Sequence, residues 1–186
     1  MKVCERLDEI PVDKARSVLV CDSAVAASLD LKRAGSRFTR VYPLQAGESL
    51  KNWDVVGQLL GRLSRECPFL SRQSGTIYAL GGGTVGDAVG FAASVLERGV
   101  RFENIPSTWL AAIDSAHGGK TAVNLDGFKN RVGTFYPAEE VWLVREVLQA
   151  QPSSLESNAR AELIKIAWID GGPWTARLQE RLWDLL

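Results

Sequence analysis

The run Leu80-Gly81-Gly82-Gly83-Thr84-Val85-Gly86-Asp87 constrains this chain more than any other stretch. Thr76–Leu80 before it is a continuous apolar run, which predicts a buried strand, and Val85–Leu96 after it carries apolar residues at helical spacing. A glycine-rich turn between strand and helix lets the backbone approach a ligand closely. It also leaves amide N–H groups free at the start of the helix, where the dipole favours an anion such as a pyrophosphate. Taken alone, three glycines are equally a tight turn with no ligand.

The flanking pattern gives the turn its setting. Ser17–Cys21 reads as the first strand of the chain, Thr39–Leu44 and Arg101–Ile105 as further short strands, and Val25–Arg33 and Ser49–Glu66 as helices between them. This alternation predicts an α/β fold, a Rossmann-like and mostly parallel sheet with flanking helices. Ligands in such sheets sit at the carboxyl ends of the strands, where the glycine turn lies. From Asp114 to Asn130 the chain turns polar and glycine-rich, as loops or short hairpin strands carrying functional groups. A helix is expected at Glu139–Leu148. Pro152-Ser153-Ser154 marks a break, which divides the chain into an α/β domain at 1–150 and the first helices of a second, helical domain at 151–186. Ala159–Trp168 and Thr175–Leu186 are helical in pattern. Their apolar residues, among them Ile164, Trp168, Trp174, Leu178, Leu182 and Trp183, predict an exposed apolar surface and self-association.

Composition narrows the function classes. The chain has 22 acidic and 22 basic side chains among 186 residues, so bulk charge points to neither nucleic acid nor a membrane surface. The start lacks a secretory apolar region, and no apolar run is long enough to span a bilayer. Cys4, Cys21 and Cys67 are scattered and odd in number, which fits a reducing cytoplasm. His117 is the single histidine, which excludes a two-histidine metal site built from this sequence alone.

The order and spacing of a longer set of segments resembles the sugar phosphate cyclases, and within them the 3-dehydroquinate synthase family most closely. These are Gly47-Glu48-Ser49-Leu50-Lys51, Gly81–Asp87, Gly90-Phe91-Ala92-Ala93, Arg98-Gly99-Val100, Pro106-Ser107-Thr108, Asp114-Ser115, Gly118-Gly119-Lys120, Asn124, Lys129-Asn130, Gly133-Thr134-Phe135 and Ala161–Lys165. The resemblance implies NAD+ and a divalent metal, zinc or cobalt, and a seven-carbon keto sugar phosphate as substrate. It implies transient oxidation of a hydroxyl, elimination of phosphate, re-reduction and aldol closure, giving 3-dehydroquinate from 3-deoxy-arabino-heptulosonate 7-phosphate.

By resemblance, Glu48 and Lys51 hold the adenosine end of NAD+, and a carboxylate suits a ribose diol because it accepts two hydrogen bonds. Read from spacing alone, they are equally an exposed i,i+3 pair. Gly82, Gly83 and Thr84 cradle the pyrophosphate, Asp87 lies beside the ribose or nicotinamide, and Ser107 and Thr108 add hydroxyl contacts. Alternatively, Asp87 is a helix first-turn acid and Ser107-Thr108 an N-cap pair. Lys120 and Asn130 bind substrate, with Asp114 and Lys129 at the junction of substrate and nicotinamide; Asp114, Lys120 and Lys129 also touch the cofactor. Arg98 matches an arginine that reaches the substrate phosphate in a neighbouring subunit, which implies a homodimer. Glu162 matches the carboxylate metal ligand, and Lys165 a substrate-binding lysine one turn on. The same i,i+3 spacing is what a plain salt bridge shows.

The sequence also departs from the family pattern. The histidine metal ligands expected after Glu162 do not occur, so the metal site is incomplete and the chain by itself is expected to turn over little or no substrate. Ser107 stands for a threonine, Ala116-His117 for Ser-Val, Ala150 for a cofactor-contacting threonine, and Ser154 and Ala159 for an arginine and a glycine. Arg131 adds charge beside Lys129-Asn130, and His117 reads as an exposed loop residue. Rival readings are a cyclase of the 2-deoxy-scyllo-inosose or 2-epi-valiolone synthase type, a non-catalytic NAD-binding remnant, and an iron-type dehydrogenase. The Asp114–Lys120 and Lys129-Asn130 pattern argues against the last.

Overall fold

The computed structural model describes residues 1–29 and 35–172. The chain runs β1 (Lys2–Cys4), β2 (Ser17–Asp22), α1 (Ser23–Ser28), β3 (Arg40–Leu44), a 3-10 turn (Glu48–Lys51), α2 (Trp53–Glu66), β4 (Thr76–Gly81), α3 (Gly83–Val95), β5 (Arg101–Pro106), α4 (Trp109–Ile113), β6 (Lys120–Leu125), β7 (Phe128–Phe135), β8 (Glu140–Val144), α5 (Arg145–Gln149) and α6 (Glu156–Asp170). Six strands form one sheet in the order β1-β8-β5-β4-β2-β3, and every pairing in it is parallel. β6 and β7 form a separate antiparallel hairpin. The expected α/β class and parallel sheet are both present.

The two faces of the sheet carry separate cores. Val18, Val20, Ile77 and Ala79 point to the side covered by α2 and α3, while Leu19, Cys21, Tyr78 and Leu80 point to the other. This is the period-two alternation of strands buried on both faces, and it explains their nearly unbroken apolar sequences.

α3 is apolar on most of its circumference because it is enclosed on most sides. Val85, Val89 and Phe91 are buried, and the helix lies between the sheet and the β6–β7 hairpin. Its internal glycine permits that approach: a Cβ on Gly90 would stand 2.6 Å from Thr121 Cγ2 and 3.1 Å from Phe102 Cε1. A helix glycine destabilises by about 1 kcal/mol relative to alanine, and here it gains close contact on two sides.

Three expectations need correction. Glu139–Leu148 is not one helix. Glu140–Val144 is a strand that pairs with β1 and β5, and only Arg145–Gln149 is helical. Val141, Trp142 and Val144 are buried there, and a slot between two parallel strands outweighs local helical spacing. Ser49–Glu66 is also not one helix. Asn52 interrupts it in an extended conformation and caps α2 by accepting from the Asp54 N–H at 2.8 Å. Ser17–Cys21 is the second strand, since Lys2–Cys4 forms an edge strand too short to stand out in the sequence. α1 ends at Ser28, and the rest of the helix expected to Arg33 lies outside the described residues, as does the one at Thr175–Leu186 with Trp174, Leu178, Leu182 and Trp183.

Candidate functional site

Strand order fixes where a ligand can enter. After β2 the chain moves to β3 on one side, and after β4 it moves to β5 on the other, so the crossovers diverge between neighbouring β2 and β4. The carboxyl ends of such a pair form the crevice in which open α/β sheets bind ligands. Asp22 closes β2 and Gly81 closes β4 there. Gly82 caps α3 with an extended backbone, and while the Val85 N–H turns back to Gly82 O at 3.0 Å, the Gly83 and Thr84 N–H groups have no acceptor within the helix. The Ser107 N–H donates to Gly81 O at 2.8 Å, which fastens the turn after β5 beside the glycine turn. A Cβ on Gly83 would lie 3.1 Å from Ser115 Oγ, and one on Gly82 3.5 Å from Thr108 Cγ2. The glycines therefore keep open a cradle that side chains would narrow.

The break at Asn52 frees the preceding 3-10 turn to dip toward α3. Lys51 is 5% exposed, with its Nζ 2.6 Å from Asp87 Oδ2 and 2.5 Å from Asn130 Oδ1. Three elements distant in sequence meet at this ammonium. Burial pushes the Asp87 carboxyl above its ordinary value, although Lys51 pulls the other way. Glu48, on the outer side of the same turn, accepts from Asn124 Nδ2 at 2.7 Å, and Lys129 Nζ stands 3.7 Å away. The Asn124 hydrogen bond, assisted by Lys129 and Lys51, lowers the Glu48 carboxyl. Asn124 also accepts from the Asn130 N–H at 2.9 Å, where Asn130 turns through a left-handed φ of 53°. The hairpin is thus tied to the 3-10 turn at both ends of one hydrogen-bonded chain.

Of the residues singled out from sequence, Glu48, Lys51, Thr84, Asp87, Lys129 and Asn130 converge on this corner, with Gly82 and Gly83 alongside; Thr84 Oγ1 accepts from the Gly47 N–H at 3.4 Å. Glu48 and Lys51 do not pair with each other. Asp87 lies in the second turn of α3, past the reach of a first-turn dipole acid. Thr108 is the N-cap of α4, accepting from Ala111 N–H at 3.2 Å, while Ser107 is buried beside it. Lys120 opens β6 and lines a small cavity with Asp87, Gly83 and Ser115. Asp114 is exposed at the end of α4, close enough to act electrostatically on both Asp87 and Lys165. His117 is exposed as expected, its Nε2 2.9 Å from Ala112 O.

Two groups stand apart. Arg98 is exposed with a left-handed φ of 61°, at the opposite end of α3 from the glycine turn. Glu162 and Lys165 form an ion pair along α6, which packs against α4. Glu162 raises the Lys165 ammonium through that contact. Among the described residues, no group of three His, Cys, Asp or Glu side chains is placed to hold a metal ion. Asn124 stands in the sequence only as one residue of the ordered motifs, with no signal of the bridging role it takes between Glu48 and Asn130.

Residues 41–158 match the sequence profile of a family described as 3-dehydroquinate synthase N-terminal. The chain belongs to that family. It is 39% identical over 172 residues to 3-dehydroquinate synthase of Bordetella pertussis, covering 89% of this chain and 47% of the relative. In structure it is similar to a 2-deoxy-scyllo-inosose synthase complexed with carbaglucose-6-phosphate, NAD+ and Co2+, with a TM-score of 0.75 at 30% identity, covering 88% of this chain and 47% of that one. A 2-epi-5-epi-valiolone synthase of Streptomyces hygroscopicus with NAD+ and Zn2+ bound gives 0.76 at 28%, covering 89% and 48%. The chain thus spans about half the length of the proteins it matches. Among the described residues no helix is long and apolar enough to cross a membrane.

Proposed function

We propose that this chain is the NAD+-binding half of a 3-dehydroquinate synthase-type cyclase, acting on 3-deoxy-arabino-heptulosonate 7-phosphate. The observation that carries the reading is the open glycine cradle at the sheet's switch point, walled by the Lys51–Asp87–Asn130 cluster. The cradle fits a dinucleotide. Free N–H groups at Gly82, Gly83 and Thr84 suit a pyrophosphate, and Glu48 offers a carboxylate to a ribose diol. Ser107 and Thr108 border the same cradle. NAD+ would supply a reversible hydride acceptor.

The residues of this chain then bind and orient. Lys51 holds Asp87 in place and keeps a buried carboxylate balanced beside the cofactor. Lys120, Lys129 and Asn130 surround the remaining opening with two ammonium groups and an amide, a donor set for phosphate and sugar hydroxyls. Asp114, close enough to act electrostatically on both Asp87 and Lys165, serves the junction of substrate and nicotinamide. Arg98 would serve a second copy in a homodimer. The metal fits poorly: Glu162 is a single carboxylate already paired with Lys165, so further ligands would have to come from outside the described residues. The chain alone is expected to show little or no turnover. The domain division near residue 150 belongs to the same proposal.

Calorimetric titration with NAD+ tests the reading. Saturable binding by the 186-residue chain, reduced more than about tenfold in Gly82→Val, is the expected outcome. The variant's Cβ meets only ordinary contact at Thr108, so the fold persists while the cradle is filled. Equal binding by both proteins would remove the glycine turn from the site. Measuring product from several sugar phosphates, after supplying the segment that completes the relatives, separates 3-dehydroquinate synthesis from the two sister cyclase activities.

A further inference from the structure

The parallel sheet has a second end, opposite the glycine cradle. Lys2, Ser17, Thr76, Arg101 and Glu140 open β1, β2, β4, β5 and β8, so the amino ends of five strands meet there. Between them lies a cavity of about 360 Å3, which shares no lining residue with the cradle. Its volume is that of a small-molecule site.

The cavity holds a buried charge. Glu103 is 8% exposed, with Tyr78 opposite it on β4 and Trp142 nearby on β8. The Trp142 indole N–H donates to Glu103 Oε2 at 2.6 Å, but that donor is neutral. The cations of the cavity are engaged elsewhere. Arg101 pairs with Glu139 at 2.9 Å, and Lys2 pairs with Glu140 at 3.2 Å, where the Met1 ammonium joins it at 2.6 Å. Among the described residues, neither Glu103 nor the exposed Asp13 at the rim forms an ion pair, and Arg101 acts on Glu103 only at longer range. A carboxylate taken out of water without a counter-ion is costly, and burial pushes the Glu103 carboxyl above its ordinary value.

The other walls select what would balance it. Asp13, Glu139 and Glu140 also line the cavity, yet among the described residues no three such side chains stand close enough to hold a metal ion. Carboxylates spread in this way suit an extended cation rather than a point charge. The Trp142 ring already takes one cation, the Lys2 ammonium 5.0 Å from its centroid.

We propose that this cavity binds a small organic cation, a primary amine or guanidine, with Glu103 as its buried counter-ion and Trp142 and Tyr78 as its walls. The cationic group donates to Glu103, and the rest of the molecule extends toward Asp13. The site does not depend on the NAD+ reading, because it lies at the other end of the sheet.

Calorimetric titration of the full chain with agmatine, which carries an ammonium and a guanidinium on one short chain, tests the site. A parallel titration with magnesium chloride tests the metal alternative. Saturable binding of agmatine and none of magnesium is expected. Glu103→Gln keeps the size of the side chain and an oxygen for the Trp142 N–H, and removes the charge. It should weaken agmatine at least about tenfold, the worth of one hydrogen bond to a charged group. Asp13→Asn, at an exposed position where folding is not at risk, should weaken it roughly twofold. Thermal unfolding should find Glu103→Gln no less stable than wild type, since a buried charge is gone. Folded wild-type protein that binds no agmatine, or binds magnesium with a matching loss in Glu103→Gln, overturns the assignment. Equal agmatine affinity in wild type and Glu103→Gln also overturns it. If Glu103→Gln does not fold, equal affinity in wild type and Asp13→Asn overturns it instead.

Discussion

Two charged clusters in this chain show how differently a lysine–carboxylate pair can be built. Lys51 and Asp87 come from separate elements, with side chains only 6% and 25% exposed, and a hairpin asparagine completes the contact. Glu162 and Lys165 lie one turn apart on a single helix, with the lysine 59% and the glutamate 16% exposed. The first pair exists only because a sheet, a helix and a hairpin converge. The second is formed by i,i+3 spacing within α6. Desolvation of the lysine makes the difference: an ammonium taken out of water, as in Lys51, must find a partner, whereas an exposed one, as in Lys165, interacts nearly as well with solvent.

The largest effect should come from breaking the first cluster. Lys51→Met leaves Asp87 half-buried without its cation and Asn130 without its donor. We expect a loss of about 3 kcal/mol, read as a fall in Tm of roughly 10 °C for a chain of this size. A fall under about 2 °C would mean the corner relaxes and lets water reach Asp87.

A smaller effect is expected from pH. Asp87 holds its proton more tightly folded than unfolded, so its contribution to stability is complete below its ordinary value of 3.8 and is lost as pH rises through the folded value. Glu48 runs the other way. Its contribution is present above 4.5 and is lost as pH falls through its lowered folded value. Urea unfolding from pH 3 to 7 should therefore show Asp87→Asn gaining on wild type as pH rises. Carboxyl NMR should find Glu48 ionising below its ordinary 4.5 and Asp87 above its ordinary 3.8. A shift of either group in the other direction would undo the account of that group.

The smallest effect belongs to α6. Glu162→Gln should leave the urea midpoint unchanged, because the exposed Lys165 exchanges one set of polar neighbours for water. A clear loss of stability there would show that Glu162 is held by more than its own helix.

The candidate site was legible to different degrees. The glycine turn announced itself because backbone geometry and helix-start N–H groups depend on local residues alone. The hairpin carrying Lys129 and Asn130 was visible as a glycine-rich polar stretch. Lys51 as a buried centre was not, since its burial depends on Asn52 ending the 3-10 turn and on α3 lying beneath it. β8 is not legible because Glu139–Leu148 has acceptable helical spacing, and only the slot between β1 and β5 turns Val141, Trp142 and Val144 into a strand. Glu103 carries no local signal, as its meaning comes from its burial beside a Trp142 N–H that lies 39 residues later.

The sequence by itself determined the parallel α/β class, the strand–glycine–helix turn and the family, because these rest on periodicity, backbone freedom and ordered motifs. Tertiary structure decided which of the charged residues are buried together, where the cavity at the amino ends of the strands opens, and which buried carboxylate in its wall lacks a cation. Those properties depend on desolvation and on contacts between distant segments, and neither exists until the sheet, α3 and the hairpin have closed on one another.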